Sequence, residues 1–120
     1  MASHFVEITN TGAFVPSKLE LQPGDQVTYQ APSDSEIPPG DVVVMCVYPD
    51  FIFGDERYVI APGQSLTLIV SAKATGKKFE TYAHIGSSER RCRKSNEHGG
   101  AGDEPGGGDV GGDDEPDGGS

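Results

Sequence analysis

The stretch that most constrains the fold is YVIAPGQSLTLIVSAKATGKKFETYAHIG, residues 58–86. Leu66 and Leu68 share one face of an extended chain, and Phe79 and Ala83 share one face of the following run. Alternation with a period of two is typical of half-buried strands. Because a short Gly-containing segment separates the two runs, the pattern predicts two strands joined as a hairpin.

Further runs of the same kind occur along the chain, as HFVEIT, KLEL, QVTYQ, VVVMCVY and RYVI, with Gly and Pro between them. The run VVVMCVY is almost continuously apolar, which predicts a strand buried on both faces. No helical period continues for three turns. About seven short strands at regular spacing predict an all-β fold, an antiparallel Greek-key β-sandwich or barrel.

Two stretches resemble the cupredoxin family. AFVPSKLELQPGDQVTY is similar to the opening of these proteins, and IAPGQSLTLIVSAKATGKKFETYAHIG to their closing half. The resemblance covers about residues 5–86 and implies that residues 1–88 form a cupredoxin-like β-sandwich.

The resemblance also implies where a type 1 copper site would lie, with two His, one Cys thiolate and often a Met as ligands. The thiolate position, directly after FETY, is Ala83, and no His lies between His4 and His84. The segment GSSERRCRKSN supplies neither the second His nor the Met. We therefore expect a cupredoxin-like domain that has lost its copper site, with no cofactor and with His84 facing solvent at a strand end.

Charge and glycine are concentrated at the carboxyl end of the chain. Of the formal net charge of −10, residues 97–120 contribute eight acidic side chains and no Lys or Arg. This segment also has ten Gly and a single large apolar residue, Val110. Such a composition predicts a disordered acidic tail at 97–120, behind a basic linker at 89–96. Removal of everything after Asn96 would then leave the stability almost unchanged.

Two groups of side chains are candidate binding residues. The first is an aromatic pair, Phe51 and Phe53, in a turn-rich connection flanked by acidic residues. One face of this connection could form an interface with a partner, and burial of the pair is the alternative. The second is a basic group, which could bind an anionic partner in competition with the acidic tail or could simply keep the linker solvated. Its members are Arg90, Arg91, Arg93 and Lys94.

The two cysteines, Cys46 and Cys92, form no CxxC motif. The start MASHFVEI lacks the basic residues and apolar run of a signal peptide, so the sequence as given predicts a cytoplasmic protein with two free thiols. Cys92, between two arginines, would then be a reactive thiol, or a bystander in a linker. A leader removed upstream would instead place the protein in the periplasm or outside the cell.

These observations favour a non-catalytic interaction module. Nucleophile-elbow, Walker and HExxH motifs are absent, which argues against an enzyme. The partner is expected to be another protein, because the acidic charge disfavours nucleic acid and no run has the length of a membrane span. The rival hypothesis is a copper-binding protein or carrier that uses Ala2, Ser3 and His4. If Met1 is removed, the free amine of Ala2, two backbone amide nitrogens and the imidazole of His4 could bind Cu(II) in a square plane.

Overall fold

The computed structural model describes residues 2–92 and 106–111 of the chain, and over these residues the fold is all-β. Apart from the strands, it has two 3-10 helices, Asp50–Ile52 and Ala72–Ala74. Neither helix is long or apolar enough to cross a membrane. The strands are β1 Ser3–Ile8, β2 Phe14–Val15, β3 Lys18–Leu21, β4 Gln26–Gln30, β5 Val42–Tyr48, β6 Arg57–Ile60, β7 Ser65–Ile69, β8 Lys78–Gly86 and β9 Gly106–Val110.

The strands form two sheets. The first sheet has the order β2-β1-β4-β7, and the second has the order β3-β9-β8-β5-β6. Most neighbours are antiparallel, but β1 with β4 and β3 with β9 run parallel, so both sheets are mixed. The all-β prediction is confirmed, whereas the expectation of purely antiparallel sheets is wrong at these two pairs.

The core lies between the two sheets. Tyr29 of β4 is at its centre, with ring centroids 6.0 Å from Phe14 and 6.3 Å from Phe53. Burial raises the pKa of the Tyr29 phenol far above its ordinary value. The inward residues of the strands surround it, as their period of two requires. They include Val6, Ile8, Leu19, Leu21, Val27, Val43, Met45, Val47, Ile60, Leu68, Phe79, Ala83 and Val110.

The predicted hairpin between β7 and β8 does not form. β7 lies at an edge of the first sheet and β8 lies inside the second. The connection between them contains the 3-10 helix Ala72–Ala74, capped by the Ser71 hydroxyl, which accepts from the Lys73 amide at 3.1 Å. A connection of this length carries the chain from one sheet to the other, so both strands keep their predicted faces without pairing.

β9 corrects the prediction of a tail that is disordered throughout. Gly106–Val110 lies between β3 and β8, parallel to the first and antiparallel to the second. Val110 is 2% exposed and belongs to the core. The composition argument failed because backbone hydrogen bonds to two neighbours, rather than side-chain burial, hold most of this strand. The rest of the predicted tail, 97–105 and 112–120, lies outside the described residues.

Glycine is required in β9 by the close approach of its neighbours. A Cβ atom on Gly106 would lie 2.7 Å from ring carbon Cδ2 of Phe14 and 2.7 Å from Thr81 Oγ1. On Gly107 it would overlap the Phe79 carbonyl, and on Gly108 the Leu19 carbonyl. Backbone atoms cannot yield as a flexible side chain can, so Gly107 and Gly108 have a structural role, while Gly106 is restricted by the buried side chains of Phe14 and Thr81.

The cysteines are disulfide-bonded, which corrects the prediction of two free thiols and of a reactive Cys92. Cys46 and Cys92 have their Cα atoms 5.7 Å apart. Sequence spacing could not reveal this pairing, because it depends on residues 87–92 folding back over β5. We call residues 87–92 the cover segment. β5 itself is buried on both faces, as its continuous apolar run predicted.

Asp25 fastens the start of β1 to the turn before β4. Its carboxylate accepts from the Ala2 amide at 2.9 Å and the Gln22 amide at 3.0 Å, and His4 Nε2 lies 3.0 Å away. These groups stabilise the charged form, with the Ala2 amide contributing most and His4 next. They lower the pKa of Asp25 from about 3.8 to about 2.

The Asp25 interactions predict a loss of stability in acid. Because the folded pKa is below the unfolded value, this stabilisation is complete above about pH 4 and is lost as the pH falls toward 2. Asp25→Asn should lower the free energy of unfolding at pH 7 by about 2–3 kcal/mol. Urea unfolding across this pH range should show a reduced acid dependence in the variant. Asp34→Asn, at an exposed position, is the control, and equal acid dependence in all three proteins would contradict the prediction.

Candidate binding groove on the second sheet

The outer face of the second sheet, directed away from the core, carries the candidate site. On β8, Phe79 and Ala83 point into the core, so Glu80 and Tyr82 point outward. Glu80 is opposite Tyr48 of β5 on one side and opposite Gly107 of β9 on the other. The Gly-rich strand therefore leaves a gap between the side chains of β8 and those of β3.

This gap is part of a groove of roughly 650 Å³, and the backbone of β9 forms the floor of the groove. A volume of this size is in the range of small-ligand and short-segment sites. Its floor includes backbone of Gly106 and Gly108, where a larger residue would not fit. The polar side chains around it are Ser17, Lys18, Tyr48, Lys78, Glu80 and Asp109, and we use "the groove" for the space bounded by these residues.

The groove carries charges of both signs. Lys18 on β3 and Lys78 on β8 supply two ammonium groups, and Glu80 and Asp109 supply two carboxylates. Across residues 2–92 and 106–111, no ion pair within 4.0 Å joins any of these four side chains to another. All four side chains are exposed, so their interactions are screened by salt.

Tyr82 holds two residues of the groove wall. Its hydroxyl donates to Glu80 Oε1 at 3.2 Å, and its ring meets the Tyr48 ring edge-to-face with centroids 6.0 Å apart. Tyr82 is itself only 6% exposed. A carboxylate and an aromatic ring of the groove are thus fixed by one buried side chain.

The residues at the position of a type 1 copper centre do not fit that centre. Ala83, where the family resemblance places the thiolate, is opposite Met45 in the core and has no donor atom. His84 is buried at 7% exposure on the opposite face of β8, which corrects the expectation that it faces solvent. Within the described ranges, no group of three His, Cys, Asp or Glu side chains is arranged to hold a metal ion.

Ala2, Ser3 and His4, the ligands of the copper-carrier hypothesis, are engaged in the fold. Ser3 and His4 are in β1 and are opposite Gln26 and Val27 of β4. His4 Nε2 and the Ala2 amide both contact Asp25. Wrapping an ion in a square plane needs the same nitrogens turned to one point, so it would require this end of β1 to detach.

Phe51 lies in the 3-10 helix Asp50–Ile52, and Phe53 directly follows this helix. Both are half-buried and pack against the core, and the ring centroids of Phe53 and Phe79 are 5.9 Å apart. Ile52 between them is fully buried. This packing means that substitution of either phenylalanine would alter stability, and binding through them stays a prediction.

The predicted basic cluster is described only in part. Arg90 and Arg91 are exposed in the cover segment, whereas Arg93 and Lys94 lie outside the described residues. The competition between this cluster and the acidic tail stays a prediction. Arg57, which the sequence did not single out, contacts the same segment: its guanidinium donates to the carbonyls of Arg90, at 2.9 Å, and Ser88.

The sequence did not reveal the groove, because the groove depends on β9. The only local signal was the run GGGDV, in which an acidic and a β-branched residue follow three glycines.

Comparison with known proteins adds no further assignment: neither a protein-family model nor a curated protein matches this chain.

Proposed function

We propose that the chain is a non-catalytic binding module with a cupredoxin-like Greek-key sandwich that lacks the type 1 copper ligands. Its binding site is the groove, and its partner is an extended segment of another protein. The observation that carries this proposal is the glycine floor of β9 between Lys18 and Glu80, with no ion pair across it among the described residues. Gly107 is opposite both Lys18 and Glu80 and has no side chain, so the row across these three strands is open at its centre.

The charges of the groove support a protein segment as the ligand. Lys18 and Lys78 can pair with acidic side chains, and Glu80 and Asp109 with basic ones. The Tyr48 ring adds an apolar surface to the lining of the groove. A peptide presents both charges at side-chain spacings, whereas a polyanion would meet two repelling carboxylates. The charge pattern therefore favours a peptide with acidic and basic residues.

The disulfide supports an oxidising compartment for this module, such as a periplasm or the exterior of a cell. Disulfides are rare in reduced cytosol and common in secreted proteins. The localisation that we propose therefore departs from the cytoplasmic one predicted from the sequence, and agrees with its stated alternative.

A selection of peptides tests the proposal. Random dodecapeptides displayed on phage and selected on the wild-type protein should be enriched in sequences that contain both acidic and basic residues. The double variant Lys18→Glu/Lys78→Glu should bind the selected peptides at least tenfold more weakly, by fluorescence polarisation. Lys73→Glu, exposed on the 3-10 helix and outside the groove, should bind within twofold of wild type.

Two outcomes would reject this proposal. Selection that yields no peptide above background would reject the groove as a peptide site. A loss of binding free energy in the Lys73 variant that is half the loss in the double variant, in proportion to the charge changed, would show that binding depends on overall charge and not on the groove.

A further inference from the structure

The disulfide lies one residue pair away from the groove. Arg57, Cys46 and Tyr82 are directly opposite one another on β6, β5 and β8, and all point to the outer face. In the neighbouring row across β5 and β8, Tyr48 is opposite Glu80. Tyr82, which holds both groove residues, is therefore the cross-strand neighbour of the disulfide-bonded Cys46.

The cover segment is attached to this row at three points. Cys92 is bonded to Cys46, and the Arg57 guanidinium donates to the carbonyls of Ser88 and Arg90. Both of these hydrogen bonds are exposed to water, and so hold the segment weakly. The disulfide is thus the dominant attachment. On this same outer face, Val44 and Cys46 are fully buried although they point away from the core between the sheets.

The disulfide presents one sulfur more openly than the other. Cys46 is 0% exposed, whereas Cys92 is half-buried in the cover segment. The thiolate of an external dithiol would attack Cys92 Sγ, and Cys46 Sγ would leave as a thiolate and take a proton. The second thiol of the reductant then attacks the mixed disulfide and releases Cys92. Two electrons pass to the protein, which gains two thiols, and the dithiol becomes a disulfide.

We propose that the Cys46–Cys92 disulfide is a redox latch for the groove. This inference rests on the proposed function, because it assigns a control to the same groove. In the oxidised protein the cover segment is fixed over the row that contains Tyr82, and Tyr82 fixes Glu80 and Tyr48. After reduction, the attachments of the segment that remain among the described residues are the two Arg57 hydrogen bonds and the 3.7 Å contact of Cys92 Sγ with the Glu56 carbonyl. Tyr82 can then move, and the groove loses the fixed positions of one carboxylate and one ring. Affinity for the groove ligand then falls.

Two readouts keep this inference distinct from the proposed function. The first needs no ligand: ¹H–¹⁵N spectra before and after reduction by dithiothreitol should show shifts in the cover segment, Tyr82, Glu80 and Tyr48, and small changes at Val6 and Val27 of the first sheet. The second is the affinity for a dodecapeptide selected on the oxidised protein, which should fall at least tenfold on reduction. In Cys46→Ala/Cys92→Ala, dithiothreitol should change neither readout.

A third measurement distinguishes the latch from a general loss of stability on reduction. Tyr82→Phe, kept oxidised, removes only the hydroxyl that donates to Glu80, and should weaken the same peptide several-fold with the disulfide intact. Unchanged affinity in this variant, or unchanged Tyr48 and Glu80 signals on reduction, would overturn the latch. If no peptide is selected but those signals shift, the proposed function fails while the coupling of disulfide and groove is supported.

Discussion

Deleting everything after Asn96 is expected to unfold the second sheet, with a loss of at least about 5 kcal/mol, a large share of the stability of a typical small domain. The deletion removes β9, which is the sole sheet neighbour of β3 among the residues that the structure describes. It also removes Val110 from the core, and leaves β3 and β8 with unpaired backbone groups. Urea unfolding and thermal unfolding, both followed by circular dichroism, measure the effect. A midpoint within a few degrees of wild type on heating would instead restore the view of a dispensable tail.

Single substitutions make the same test without shortening the chain. Gly107→Ala and Gly108→Ala should each cost more than about 3 kcal/mol, because the added methyl group meets the backbone of a neighbouring strand and Gly107 also has a φ of 130°. Gly86→Ala in β8 is the matched control, since nothing lies within 4 Å of its added Cβ, and it should cost less than about 1 kcal/mol. Equal effects at Gly86 and Gly107 would show that β9 is not tightly enclosed.

Loss of the disulfide is expected to have the second large effect. Reduction of the disulfide between Cys46 and Cys92, 46 residues apart, should lower the free energy of unfolding by about 4 kcal/mol, chiefly because it increases the conformational entropy of the unfolded chain. Urea unfolding with and without dithiothreitol measures the difference, and Cys46→Ala/Cys92→Ala should be insensitive to the reductant. An identical midpoint in both conditions would mean that the link contributes nothing to the stability of the fold.

The strands were predictable from the sequence because their signals are local. β5 and β8 show their burial in the residue pattern itself, one as a continuous apolar run and the other as an alternation. β9 has no such signal, because glycine has no side chain from which to read a period. Its pairing with β3 joins residues about 90 positions apart, as between Leu21 and Val110, and no local pattern reports such a contact.

The candidate site was less predictable than the fold. Lys18, Lys78 and Asp109 come from three strands, and the groove between them exists only because of the register of those strands. The sequence instead drew attention to Phe51 and Phe53, whose aromatic character suits a core as well as an interface. The cysteine pair was missed because spacing alone does not determine which residues meet in space.

The position of β9 also determines the order in which the molecule can assemble. It is made after the eight other strands of the described part of the chain, yet it lies inside the second sheet and not at its edge. Until it emerges from the ribosome, β3 and β8 border an open slot with unpaired backbone groups, which are templates for pairing with other chains. During synthesis the second sheet is therefore completed by the insertion of a strand, a long-range step of the kind that makes folding slow. Nascent or recombinant chains held at this stage are the ones we expect to aggregate.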